Sequence, residues 1–157
     1  MLDGLKYCYE RNLDYMTRLC QDLDDSLAAS QPLPGMNHPL WVLSHLNIYH
    51  SIMLCILENQ EFPDPKDSPY GMGSSPAGGD YLPVARLLEN YQAGVQSVLY
   101  RLERSTPAVL SNPVSLPRWQ SRMPVAEKAL PYLMLVHENQ HIGQISAWRR
   151  AMQLPPA

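Results

Sequence analysis

Proline-rich stretches divide this chain of 157 residues into four segments, and each segment carries apolar residues at the spacing of one helix face. Most of the 15 prolines fall in three such stretches. No segment alternates apolar and polar residues with the period of two that a half-buried strand requires. The sequence therefore predicts an all-α protein with one domain, residues 1–157, folded as a four-helix bundle.

The first two predicted helices flank a short proline-rich break. The first covers 3–29 and ends before the run QPLPG at 31–35. The second begins at Asn37, whose side chain can cap it, and continues to about Glu58. His45 lies in the middle of the apolar face of this second helix.

The third and fourth predicted helices follow two long connections, 59–80 and 106–124. The first connection is long enough to return along a helix of about 30 Å, so the second and third helices can be parallel neighbours. Its proline and glycine content predicts a cover that packs over one end of the bundle and helps to wall a pocket. Asp80 can cap the third helix, and Pro131 is predicted to kink or interrupt a fourth helix over about 125–151.

Composition narrows the classes of function. The net charge of −3 and the pI near 5.9 leave no basic footprint for nucleic acid. No signal segment opens the chain and no uninterrupted run of 18 apolar residues occurs, so we expect a soluble, cytoplasmic protein without a membrane partner. The three cysteines, an odd number without a CxxC pair, are expected to be reduced thiols.

The motif HENQH at 137–141 is the strongest chemical signal in the chain. His137 and His141 are four residues apart on a predicted helix, so both imidazoles can reach one metal ion. The pattern matches the HExxH signature of zinc proteases, but those enzymes take a third ligand downstream. No His, Asp, Glu or Cys follows His141, so a third ligand must come from upstream.

Three histidines lie upstream. His45 is on the inward, apolar face of its helix, whereas His50 lies about 140° around the same helix. His38 stands beside Pro39 at the helix start, where a capping or exposed role is expected. A metal would remove the cost of burying three unpaired imidazoles, but hydrogen-bonded core histidines explain the same spacing. Both interpretations stay open at this level.

Four further residues are candidates for the pocket. Gln144 lies one turn beyond His141, and Tyr49 lies one turn beyond His45. Glu138 can act as an acceptor behind the metal or as a base, and Tyr70 lies on the long connection. Each has a plainer alternative: an interhelical hydrogen bond for Gln144, core packing for Tyr49, an outward ion pair for Glu138 and a mobile loop position for Tyr70.

Three stretches of the chain form a recognisable combination: WVLSHL at 41–46, HENQHIGQI at 137–145 with the arginines at 149 and 150, and the connection YGMGSSP at 70–76 with DYLP at 80–83. Together they resemble the DinB-like (YfiT-like) family of metalloenzymes. The resemblance covers nearly the whole chain. It implies an up-down-down-up bundle and a metal site formed by His45, His137 and His141, and it implies a homodimer.

The same resemblance suggests an activity. Characterised relatives include metal-dependent transferases and isomerases that use low-molecular-weight thiols. A related branch, found beside iron-dependent sulfur-transfer domains, has an acid two residues after the last histidine. Gly143 occupies that position here, so the chain departs from that branch.

The function predicted from these observations is that of a metal-dependent enzyme acting on a small molecule. Three neutral imidazoles leave positions open on the ion, which can lower the pKa of a thiol or a water. Zinc or nickel is the expected ion, with iron or manganese as further possibilities, and an all-imidazole site also suits copper. A thiol-dependent transferase is the favoured reaction. A metal-dependent hydrolase and a non-catalytic metal-binding or stress-response bundle are the alternatives.

Overall fold

The computed structural model describes residues 2–157, and helices dominate it. The helices are α1 (Leu2–Cys20), α2 (Asp25–Ala28), α3 (Pro39–Leu57), α4 (Val84–Glu103), α5 (Pro107–Leu110), α6 (Ala126–Pro131) and α7 (Glu138–Ala151). Between α6 and α7 the segment Tyr132–His137 is π-helical, so these three pieces form one continuous fourth bundle helix. Across the described residues, strand-like pairing is limited to one isolated bridge between Pro113 and Val125.

Helices α3 and α4 are parallel neighbours, as the length of the connection between them allows. The side-chain amide of Asn47 donates to the Leu87 carbonyl at 3.1 Å. Further along both helices, His50 packs against the backbone of Gly94. Because the contact points advance in the same direction on both helices, the chain must return along the bundle between residues 58 and 83.

Helix α1 runs parallel to the fourth bundle helix. Asn12 donates to the Met134 carbonyl at 3.1 Å, and further along both helices Arg149 donates to the Leu19 carbonyl at 2.8 Å. Both contacts are buried. The first and last long helices therefore point the same way.

Helix α4 runs against α1. Lys6, near the start of α1, pairs with Glu103 at the end of α4. Thr17, near the end of α1, accepts a hydrogen bond from Gln92 at 3.2 Å. With α3 parallel to α4 and the fourth helix parallel to α1, the order is up-down-down-up. The predicted all-α bundle and its topology are confirmed.

Helix α3 is the central helix of the bundle, and 14 of its 19 residues are buried. By length and composition it is apolar enough to cross a membrane, with a mean hydropathy of 1.5. The core helix of a bundle meets the same criterion, and 72% of that window is buried inside this fold. Burial on every side also means that any polar residue on α3 must find a partner inside the protein.

The first predicted helix, 3–29, is wrong in its length. Helix α1 ends at Cys20, and a separate short helix, α2, follows. The carboxylate of Asp24 accepts a hydrogen bond from the Leu27 N–H at 2.8 Å and so caps α2. The apolar spacing continues through Leu23 and Leu27, which concealed the break.

The two predicted caps are also wrong. His38, not Asn37, caps α3 through its Nδ1 atom, which accepts from the Trp41 N–H at 3.3 Å. Helix α4 begins at Val84 rather than at Asp80, and its first N–H donates to the carboxylate of Asp25 in α2 at 2.6 Å. A carboxylate from a distant part of the chain thus replaces the local cap.

Pro131 changes the hydrogen bonding of the fourth helix without ending it. The helix was predicted to kink or break there, and the π segment begins at the next residue, Tyr132. A turn closed by i→i+5 bonds is wider than an α turn, and such turns are often found at functional sites. His137 is the last residue of this segment.

Candidate metal centre

The structure brings together the three histidines singled out in the sequence, which we call the triad: His45, His137 and His141. The Nε2 atom of His137 lies 3.0 Å from Nε2 of His45 and 3.3 Å from Nε2 of His141. One ligand atom from each residue lies within 4.8 Å of the other two. Among the described residues this is the one group of three or more such side chains close enough to hold an ion.

The antiparallel packing of α3 against α7 produces this convergence. His45 faces His141, with ring centroids 4.5 Å apart. One turn along α3, the ring of Tyr49 lies 4.1 Å from that of His137. On the other side of His45 the indole of Trp41 is stacked at 4.7 Å. These two aromatic rings pack the triad from either end of the site and exclude water from its apolar side.

Two of the three imidazoles are fixed in a tautomer that leaves Nε2 free. Nδ1 of His45 donates to the backbone carbonyl of Tyr70 at 2.6 Å, because a carbonyl can only accept. Nδ1 of His141 donates to Oε1 of Gln144 at 3.0 Å. In a neutral imidazole whose Nδ1 carries the proton, Nε2 carries a lone pair, which is the form that binds metal.

The third ring, His137, lies between these two lone pairs. Its Nδ1 atom is buried and has no hydrogen-bond partner among the described residues. Its Nε2–H could donate to one neighbour only, which would leave another imidazole lone pair unsatisfied. The triad thus holds more acceptors than donors, and a cation would remove this imbalance.

All three rings are held neutral by their surroundings. Burial, and then the neighbouring imidazoles of His141 and His45, lower the pKa of His137 to about 2. Burial, followed by the imidazole of His45, lowers the pKa of His141 to about 4. Burial also lowers the pKa of His45, against the opposing effect of the Tyr70 carbonyl. Near pH 7 the rings therefore do not need to lose a proton before they bind a metal.

The spacing of the nitrogen atoms fits one shared ion. Two imidazole nitrogens bound at 2.0–2.1 Å to one tetrahedral ion lie about 3.3 Å apart. The two Nε2 separations, 3.0 and 3.3 Å, are close to this value. The donor set and its geometry therefore fit a divalent transition metal with three protein ligands.

The other candidate pocket residues take different roles. Gln144 bridges the ring of His141 and the side-chain amide of Asn37, which donates to it at 3.1 Å. Tyr49 packs on His137 through its ring. Tyr70 contributes its backbone carbonyl to His45, while its hydroxyl donates to the Asp80 carbonyl on the same connection.

Glu138 does not point toward the triad. Its carboxylate is 1% exposed and lies in the centre of the bundle, in what we call the inner cluster: Tyr9, His50, Tyr91 and Glu138. One side chain comes from each bundle helix. The Tyr91 hydroxyl donates to the Glu138 carboxylate, and Nε2 of His50 lies 3.6 Å from its other oxygen. The outward ion pair considered for Glu138 is therefore not formed.

The connection 58–83 covers the triad, as predicted. Besides the Tyr70 carbonyl on His45, Ser74 accepts a hydrogen bond from the Trp41 indole at 3.0 Å. The carbonyl of Pro76 lies 2.9 Å from Nε2 of His38, which is buried rather than exposed. Sequence reasoning missed these supporting contacts, since a carbonyl acceptor leaves no residue-specific signal.

Comparison with known proteins agrees with this geometry. A family model described as the DinB superfamily matches residues 9–145. The match contains all three triad histidines and every helix of the bundle in whole or in large part. No curated protein and no solved structure matched the chain.

Proposed function

The chain belongs to the DinB superfamily, and from this premise and the converging histidines we propose that it is a metal-dependent enzyme. The observation that carries the proposal is the approach of three imidazole nitrogens to one point, two of them with the second nitrogen already held by an acceptor. A structural zinc site uses four protein ligands, whereas a catalytic site uses three and leaves a position open.

Zinc or nickel is the ion that we propose, with iron or manganese as further candidates. Three imidazoles form a borderline donor set that suits zinc, nickel, copper and iron, and manganese prefers oxygen ligands. When bound, such an ion acts as a Lewis acid and lowers the pKa of a thiol or a water at neutral pH.

The residues around the triad favour a thiol substrate over direct hydrolysis. In the HExxH hydrolases the glutamate acts as a general base. Here Glu138 accepts from Tyr91 in the inner cluster and is turned away from the triad. A thiol is far more acidic than water, so it needs less help from a base to become a nucleophile. We therefore propose transfer of a low-molecular-weight thiol to an electrophilic small molecule, with hydrolysis as the second candidate.

Within this reaction the surrounding backbone and side-chain groups hold the metal ligands in place and exclude water. The Tyr70 carbonyl and Gln144 keep His45 and His141 oriented. Trp41 and Tyr49 cover the apolar side of the rings. The Cys20 thiol has no role in this proposal, since it is buried and burial raises its pKa to about 12.

Two assignments beyond the site complete the proposal. A cytoplasmic location is supported by the three free cysteines, which suit a reducing compartment. A homodimer is the assembly proposed from the resemblance to the family. Sedimentation of the purified protein at several concentrations tests the dimer.

The decisive experiment combines metal analysis with a turnover assay. Purified wild type and His141→Ala are analysed for bound metal and then loaded with zinc or nickel. Each is incubated with a panel of electrophiles, with and without cysteine, glutathione or a related thiol. Turnover that needs both the metal and a thiol supports the transferase. Metal-dependent turnover without thiol would favour the hydrolase, and bound metal without any turnover would favour a non-catalytic bundle.

A further inference from the structure

The fourth bundle helix has buried residues at a spacing that a straight α-helix could not keep directed toward the bundle interior. One series of its buried positions recurs every four residues: Ala126, Leu130, Met134, Glu138 and Ile142. A step of four residues rotates about 40° around an α-helix of 3.6 residues per turn, so four steps amount to about 160°. These residues nevertheless all face the bundle. The wider turn of the π segment compensates for part of this rotation.

The π segment places two consecutive side chains in two different buried clusters. His137, its last residue, faces the triad, and Glu138 faces the inner cluster. The backbone N–H of Glu138 bonds to the carbonyl of Leu133, five residues earlier, which closes the wide turn at this point. The orientation of His137 thus depends on the π turn being kept.

Two asparagine side chains donate to consecutive carbonyls of this segment. Asn12, on α1, donates to the Met134 carbonyl at 3.1 Å. Asn139, on the fourth helix itself, donates to the Leu135 carbonyl at 2.7 Å. Side chains that insert into the hydrogen-bond ladder are a known cause of irregular helix geometry.

Asn12 differs from Asn139 because it is buried and comes from another helix. It lies on the core face of α1, where Tyr9 and Met16 are fully buried. A leucine would satisfy the apolar pattern of α1 at this position, so burial alone does not explain an amide there. Its contact with the π segment does explain it, since a buried carbonyl without a donor is costly.

We propose that Asn12 is a positioning residue of the metal centre. Its amide bonds to the backbone of the π segment and not to a triad side chain. Its amide holds the Met134 carbonyl and thereby keeps the π turn that directs His137 into the triad. This inference rests on the proposed metal site for its effect on metal binding, but the placement of His137 can be measured without metal.

The test replaces Asn12 with leucine, which has a similar size and no donor. The matched control is Asn47→Leu, which removes another interhelical bond from an asparagine amide to a carbonyl, that of Leu87 between α3 and α4. Three quantities are measured: zinc affinity by chelator competition, the visible spectrum of the cobalt(II)-loaded protein, and the imidazole NMR signals of His137 in the metal-free protein. Asn12→Ser is made as a second variant. The serine hydroxyl is too short to replace the amide, and the smaller side chain disturbs the packing less than leucine does.

Asn12→Leu should lower zinc affinity about 10–100-fold, the range found when a supporting contact behind a metal ligand is removed. It should also change the cobalt spectrum and shift the His137 signals. Asn47→Leu should change none of these, even if both variants lose similar thermal stability. Unchanged affinity, spectrum and His137 signals in whichever Asn12 variant folds would overturn the proposal. If wild type binds no metal, the metal centre is wrong, and the His137 signals alone then decide whether Asn12 positions that ring.

Discussion

The triad and the inner cluster are two buried polar groups in one bundle, and neighbouring residues, His137 and Glu138, belong to one each. In the triad, two of the three converging Nε2 atoms are acceptors, because the Nδ1–H groups of His45 and His141 already donate elsewhere. In the inner cluster, a carboxylate accepts from a phenol and has an imidazole nitrogen 3.6 Å from its other oxygen. The triad therefore presents converging lone pairs that a cation would satisfy, whereas the inner cluster contains its own acceptor, the Glu138 carboxylate, although the Tyr9 hydroxyl and both ring nitrogens of His50 have no hydrogen-bond partner.

This contrast gives a physical criterion for a metal site in a metal-free structure. Burial alone does not distinguish the two groups, since His50 and His45 are 2% and 1% exposed. The kind of atom that converges does distinguish them: three imidazole nitrogens lie within 4.8 Å of one another in the triad, whereas the inner cluster is built around a carboxylate that accepts from a phenol. The contrast predicts that perturbing the inner cluster changes stability at any metal concentration, whereas perturbing the triad changes stability chiefly when metal is present.

The largest effect is expected for Glu138→Ala. The substitution leaves the buried Tyr91 hydroxyl without its acceptor, removes the carboxylate beside His50 and opens a cavity, so the free energy of unfolding should fall by about 3–5 kcal/mol. Denaturant unfolding should show this loss already in the presence of chelator. The control is Glu127→Ala, which removes an exposed acid from the same long helix. An equal response of the two variants would contradict the assigned role of the inner cluster.

The next effect concerns the metal. Zinc at about 100 times its dissociation constant should raise the free energy of unfolding of wild type by about 2.7 kcal/mol. His137→Ala should lose this response, because two imidazoles bind an ion far more weakly than three. Thermal melting with chelator and with zinc measures it. His38→Ala, which removes a buried histidine outside the triad, should keep the response, and its loss there would count against the assigned ligand set.

A smaller change in stability is expected when either of two glycines in helix interiors is replaced by alanine, and its sign should differ between them. A Cβ atom on Gly94 would lie 2.4 Å from Nδ1 of His50, so Gly94→Ala should destabilise the protein by about 1–3 kcal/mol through overpacking. A Cβ atom on Gly143 would meet no atom within 4 Å, so Gly143→Ala should stabilise it by about 0.5–1 kcal/mol. Opposite signs in denaturant unfolding would support the packing of His50 against α4, and equal signs would refute it.

The smallest effect is the pH dependence of the metal-free protein. The pKa values of His137 and His141, about 2 and about 4 in the folded state, lie below the ordinary value near 6.5. The unfolded chain therefore binds protons first, and stability present above pH 6.5 is lost as the pH falls toward these lower values. Between pH 7 and pH 6 the loss should be roughly 0.7 kcal/mol for each histidine.

Urea unfolding at the two pH values, in chelator, measures this loss. His141→Asn should reduce the slope by removing one titrating group. A metal-free wild type whose stability rose between pH 7 and pH 6 would show that the histidines are not buried as neutral rings.

The parts of the fold that the sequence predicted are those set by helical periodicity. The second, third and fourth helices were predicted within a few residues, and the inward face of the second helix identified His45 as a partner for His137 and His141. The caps failed for a physical reason. Asn37, His38 and Asp80 are all chemically able to cap, and the choice depends on tertiary contacts such as that of Asp25 with Val84.

The inner cluster was not predicted from the sequence. His50 lies off the face of His45, and no buried partner was assigned to it on its own side of the helix. A signal for it was present. Helix α3 is apolar on nearly all sides, so a histidine 140° away from the first face is still directed into the protein. The four-residue repeat from Ala126 to Ile142 likewise indicates a turn wider than an α turn, independently of the presence of Pro131.

The hydrogen bond from His45 to Tyr70 uses a backbone carbonyl, which is the same group in every amino acid. Substitution at position 70 changes the side chain and leaves this acceptor in place as long as the chain follows the same path. The residue at position 70 can therefore change, and with it the surface beside the triad. The orientation of the His45 ring does not depend on such a change, because its acceptor belongs to the backbone.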